Sequence, residues 1–513
     1  MLSSRSVKAI HIFLFAIFIT LSAPAWPQKK AVKTGSPEQK TARYFESVHN
    51  QPLFLHAFLA QMPKGGDLHN HLSGAVYAES MINWAVEDNL CVDRNTLSLV
   101  PPPCDPAANR SPATAALQDP TLYGRLLDAF SMRQFHPGPE SGHDHFFATF
   151  GKFGAATSNH TAEMLAEVRE RAAEGNLQYM ELMFNPDGGA ASHLGIQVGW
   201  SDDLAAMREK LLSSGLPQII AGASKFLDET EQKVNNELRC GKPDALSGCS
   251  VQARYLYQVA RGLPKEAVFA QILAGFEMAT KDSRVVGLNL VMAEDWYVPI
   301  HDFNLHMRML DFLHGLYPKV HITLHAGELT QDLVSPEDLF HIRASVERGH
   351  AERIGHGVDV MMESNPQSLL RNMADKKVLV EICLTSNDVI LNVTGTHHPM
   401  PVYLKYGVPI ALATDDEGVS RGDIIQEFQR AAETYHLNYP DLKKFARNSL
   451  EYSFLPGRSL WWNHSARTAR ECDRDMPSTK KISSGCETFL SANEKARQQW
   501  ELEKAFAQFE SRF

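Results

Sequence analysis

Long apolar runs are scarce in this chain of 513 residues. Residues 10–21 form a mostly hydrophobic run of 12 that contains His11, well short of the roughly 20 needed to span a bilayer. With Arg5 and Lys8 before it and Ala23-Pro24-Ala25 after it, the run reads as an export signal (1–25) cleaved after Ala25 rather than a retained anchor. No other stretch reads as transmembrane. Basic charge is also in deficit, with 50 Lys and Arg against 60 Asp and Glu and a net charge of −10. There is no basic stripe, which argues against a nucleic-acid partner. Cysteine is limited to seven, and six fall as near neighbours: Cys91 with Cys104, Cys240 with Cys249, and Cys472 with Cys486. Each pair would close a short loop, as in exported proteins of a secreted or periplasmic setting. Cys383, inside V-L-V-E-I-C-L, is left over and reads as a buried, inert thiol. No internal repeat is visible.

What is present is an alternation of short β-rich runs with helical patterns. Strands are predicted at 67–72, 177–184, 218–223, 285–291, 320–325, 353–356, 378–383 and 409–413. Between them Val268, Ile272, Leu273 and Phe276 make one apolar stripe after Pro264, and Leu339, Phe340, Ile342 and Val346 another after Pro336. Eight strands alternating with helices are the pattern of an α/β fold, the (β/α)8 TIM-type barrel. The barrel is assigned to 62–456, after a leader and helix at 26–61 whose Lys-rich residues 27–40 read as flexible. Insertions are expected after the first strand, at about 77–160, and after the third, around Cys240 and Cys249. A C-terminal extension covers 457–513.

Four strand ends carry titratable groups. His69 and His71 share one face of the first strand, because strand side chains alternate, while Leu68, Asn70 and Leu72 take the other. L-H-A-G-E puts His325 and Glu328 at the end of the fifth strand, R-I-G-H-G puts His356 at the end of the sixth, and T-D-D puts Asp415 and Asp416 at the end of the eighth. In such barrels that face carries the chemistry. Three histidines and a carboxylate suit a divalent metal, Zn²⁺ above all. The further His, Glu and Asp beside them complete what is needed to activate a water and deliver it to an electrophilic carbon. The P-C-x-x-C signature of a different zinc site is absent. His397-His398-Pro399 reads as a solvated loop pair.

This constellation resembles the adenosine deaminase family, and M-P-K-G-G-D-L-H-N-H-L (62–72) is similar to its secreted, growth-factor-type branch. The resemblance implies one Zn²⁺ per chain, held by His69, His71, His325 and Asp415. It implies that Glu328 protonates the purine N1, that His356 orients or deprotonates the attacking water, and that Asp416 accepts a hydrogen bond from the base. Gly74, Met292 and Asp416 would line the substrate. The family has glycine where Met292 stands, Pro where Leu384 stands, and commonly Pro where Glu417 stands, so the pocket wall differs. The expected reaction is hydrolytic deamination of adenosine or 2′-deoxyadenosine to the inosine product and ammonia. Alternatives are a related deaminase of adenine or another aminopurine, or a growth-factor-like binding protein on a deaminase scaffold. The expected partners are a small purine nucleoside, no nucleic acid, no membrane span once the signal is removed, and, as protein partner, a second copy in a homodimer.

Overall fold

Side-chain alternation along the short runs does produce eight parallel strands: β1 Gly65–His71, β2 Leu177–Phe184, β3 Gln252–Ala260, β4 Val285–Val291, β5 His321–Ala326, β6 Arg353–His356, β7 Leu379–Ile382 and β8 Ile410–Leu412. The computed structural model describes residues 35–461, 468–477 and 481–513. The expected export signal lies outside them. Each strand pairs with the next in sequence order. The circle closes between β1 and the residues after β8, where the Asp415 amide donates to His69 O at 2.8 Å and the His71 amide to Asp415 O at 3.2 Å. This is a (β/α)8 barrel.

The predicted third strand, 218–223, is instead part of a helix, Leu216–Glu237. Ile-Ile-Ala-Gly-Ala is too short a run to distinguish the two periods. Pro217 sits in the first turn, and Ile220, Ala223, Leu227, Thr230 and Val234 are buried at spacings of three and four. The third strand is therefore 252–260, and the expansion with Cys240–Cys249 follows β2, not β3. Residues 37–40, expected to be flexible, open the helix Pro37–Val48, which buries Phe45 against Phe58.

Inside the barrel lies a buried ion network. Arg353 of β6 donates to Glu181 of β2 and to Glu381 of β7, both at 2.6 Å. Glu381 in turn reaches His69. The insertion after β1 holds a three-stranded antiparallel sheet (Cys91–Asp93, Ser98–Val100, Arg110–Pro112) and the Cys91–Cys104 disulfide. It continues as the helix Gly142–Thr157, capped by the Ser141 hydroxyl. That helix is tied to the loop after β4 by His143 Nε2, 2.9 Å from Asp295 Oδ1. At the opposite end of the barrel, Glu494 at the start of helix Glu494–Glu510 pairs with Arg254 of β3.

Candidate metal centre and active site

Strand alternation sends His69 and His71 to the inside of the barrel, where His325 meets them from β5. His325 Nε2 lies 3.1 Å from both His69 Nε2 and His71 Nε2. Asp415 Oδ1 is 3.4 Å from His69 Nε2 and 3.3 Å from His71 Nε2. Tetrahedron edges of that length put the centre roughly 1.9–2.1 Å from each donor, which is the coordination distance of a small four-coordinate cation.

The other side of each ligand fixes which atom faces inward. His69 Nδ1 is 2.6 Å from Glu381 Oε2, His71 Nδ1 is 3.2 Å from Gln258 Oε1, and His325 Nδ1 is 3.0 Å from Asn289 Oδ1. All three partners accept, so each Nδ1 carries the proton and each Nε2 lone pair is free for a metal. Asp415 Oδ2 accepts from the Ser386 hydroxyl at 2.5 Å, which leaves Oδ1 to the centre. The backbone takes left-handed turns at two positions of this site: Asp415 has φ +57° and His356 φ +68°, a region that Asp and His enter more readily than most non-glycine residues. The donor set and its orientation fit a divalent cation.

Beside these donors, Glu328 Oε1, His356 Nε2 and Asp416 Oδ1 are buried without a hydrogen-bond partner. Glu328 and Asp416 border a cavity of about 230 Å³ walled by Phe146, Phe147, Phe150, Met292, Trp296 and Ile390, while His356 lies behind it, grouped with His69, His325 and Asp415. Burial, with Asp415 and Glu294 nearby, pushes the Glu328 carboxyl well above the usual carboxylate range. Glu294 holds the turn itself, accepting from the amides of Gly327 at 3.1 Å and Glu328 at 2.9 Å. Gly327 has φ +77°, and a Cβ there would sit 2.4 Å from Asp359 Oδ1. Gly74 is required for a different reason, since its Cβ would fall 1.6 Å from Asp416 Oδ1. Met292 takes the glycine-like φ of +85°, and its thioether turns to the cavity wall beside Gly262.

All nine expected site residues therefore gather at the C-terminal face of one barrel. Sequence reasoning missed the residues behind them. Gln258 was hidden by the misplaced third strand. Glu381 sat inside an apolar run, although a lone acid in V-L-V-E-I-C-L is itself a signal. His398 is not solvated: it is buried and hydrogen-bonded to Asn387. Glu417, standing where Pro is common, pairs with Arg171 at 3.0 Å. The expected cysteine pairs are all closed as disulfides, and Cys383 is free and buried.

Comparison with known proteins bears on this geometry. The family model described as adenosine deaminase matches residues 142–459. An adenosine deaminase of Escherichia coli O1:K1 is 37% identical over 136 residues, 26% of this chain and 38% of the relative. The chain thus spans 38% of the length of the curated relatives it matches. The apo N6-methyl-AMP deaminase of Arabidopsis thaliana shares the fold at a TM-score of 0.50 and 19% identity, covering 78% of this chain and 94% of that one. The family match takes in more than half the chain, including the H-A-G-E, G-H-G and T-D-D strand ends. On that match the chain belongs to the adenosine deaminase family.

Proposed function

We infer that the protein is a zinc-dependent hydrolytic deaminase of adenosine and 2′-deoxyadenosine. The observation that carries this reading is the pair of unpartnered carboxylate atoms, Glu328 Oε1 and Asp416 Oδ1, on a cavity lined also by the metal donors His71, His325 and Asp415, with the unpartnered His356 Nε2 buried beside the donor cluster. Three imidazoles and one carboxylate are a zinc donor set, and zinc there would lower the pKa of a water toward about 7. The apolar walls would hold a purine ring and exclude solvent. Attack at C6 breaks the ring's aromaticity, so a proton must reach N1 as the new bond forms. Glu328, whose carboxyl is pushed upward by burial, would give it, a contribution of typically ~10²–10⁴-fold. Asp416 would accept a hydrogen bond from the base, and His356 would orient the attacking water.

A nucleoside is favoured over a nucleotide. Among the described residues no Lys or Arg lines the cavity or the two depressions beside it, which carry Asp187, Asp332 and Asp388 instead. A phosphate would need cationic forks. An exported location is supported by the three disulfides.

Following the ultraviolet change of adenosine, 2′-deoxyadenosine, adenine and AMP with purified protein tests the reading. Turnover of the two nucleosides with little on AMP is expected. No turnover of any of them by metal-loaded protein would refute it. Metal analysis should find about one Zn²⁺ per chain, lost in Asp415→Ala with the only anionic ligand.

A further inference from the structure

A chain of three buried side chains ends at His356, and its direction is fixed at the far end by the backbone. The Met400 amide donates to His398 Nδ1 at 3.1 Å, and a backbone N–H can only donate. His398 is buried, which pushes its pKa down to about 4 and keeps it neutral. Its single ring proton is therefore on Nε2, 3.0 Å from Asn387 Oδ1. With Oδ1 accepting, Asn387 turns Nδ2 toward His356 Nδ1 at 3.0 Å. Nδ2 is a donor, so His356 Nδ1 must be the bare nitrogen, since a proton there would set donor against donor. Glu328 Oε1 stands 3.6 Å from the same nitrogen, beyond hydrogen-bond length. The ring proton of His356 is left on Nε2, a buried atom without a protein hydrogen-bond partner, on a residue grouped with the metal donors His69, His325 and Asp415.

We propose that Asn387 and His398 are positioning residues that lock His356 in the Nε2–H tautomer, so that it offers the reacting oxygen a hydrogen-bond donor rather than an acceptor. The catalytic consequence rests on the deaminase reading, whereas the tautomer does not. A preorganised donor aimed at the oxygen of a water as it loses its proton is worth about 10²–10³-fold when removed. Asn387→Asp reverses the polarity with little change of shape. A carboxylate accepts from both neighbours, so it draws the His356 proton to Nδ1 and leaves Nε2 bare.

The test is two-bond ¹⁵N–¹H correlation on protein labelled at histidine, with and without zinc, the His356 signal being identified by its loss in His356→Gln. A protonated, pyrrole-type Nε2 and a bare Nδ1 are expected in the wild type, and the reverse in Asn387→Asp. That variant should keep its zinc and its KM within a few-fold while kcat falls about 10²-fold. His398→Gln, which retains a donor to Asn387, should stay closer to wild type than His398→Leu. A bare Nε2 in the wild type overturns the proposal, and so does an Asn387→Asp enzyme with wild-type kcat. The wild-type spectrum decides the tautomer even if the variants do not fold. A protein that shows Nε2–H but deaminates no purine would sustain the tautomer and remove the deaminase reading instead.

Discussion

Glu328 and Met292 show how single side chains set this site. Glu328 has one oxygen without a partner and a pKa raised by burial. Its acid form therefore persists above the usual carboxylate range and is lost as pH rises through the shifted value, so kcat should fall on the alkaline side. Glu328→Gln should keep metal and fold, lose kcat by orders of magnitude, and lose that alkaline limb. Activity within a few-fold of wild type would take Glu328 out of the mechanism. Met292 stands at φ +85° with its thioether on the cavity wall. Glycine there would relieve backbone strain of about 1–3 kcal/mol while opening space at the ring edge. We expect Met292→Gly to lower KM for adenosine with kcat little changed, because the contact acts equally on ground and transition states. An unchanged KM would show that this departure from the family is silent.

Among the elements, β7 has the least visible role and a large one. Its Glu381 joins His69 on β1 to Arg353 on β6, all three buried. Glu381→Gln keeps an acceptor for His69 but leaves Arg353 with one carboxylate fewer. Weakening such a partner of a metal ligand typically costs 10–100-fold in metal affinity. Breaking a buried ion pair adds about 3–5 kcal/mol of instability. Chelator competition and a denaturant midpoint measure the two effects separately, and an unchanged zinc affinity would mean that His69 is oriented by the strand alone. The helix Gly142–Thr157 belongs to an insertion, yet it supplies the phenylalanine wall of the cavity.

For the whole molecule, the three disulfides close short loops in the two insertions and the C-terminal extension, separated by 13, 9 and 14 residues, and none borders the cavity. Loops of that size contribute about 2–4 kcal/mol each. Reduction should therefore lower the unfolding midpoint yet leave the metal bound. Peptide mapping without reduction should find three pairs and an unreactive Cys383. Alkylation of Cys91, Cys104, Cys240 and Cys249 in the native protein would argue against export. The sequence by itself determined the barrel and the inward cluster, because period-2 strands and polar groups at the ends of apolar runs are local signals that survive without a partner. It could not decide 218–223, since five small and apolar residues satisfy either period until a neighbouring surface selects a face. Nor could it pair His69 with Glu381 or His71 with Gln258, which lie 312 and 187 residues apart. It also left His398 among solvated residues. Those partners are chosen by strand register and barrel closure, which bring distant acceptors to within 3.2 Å, and only the folded chain contains that information.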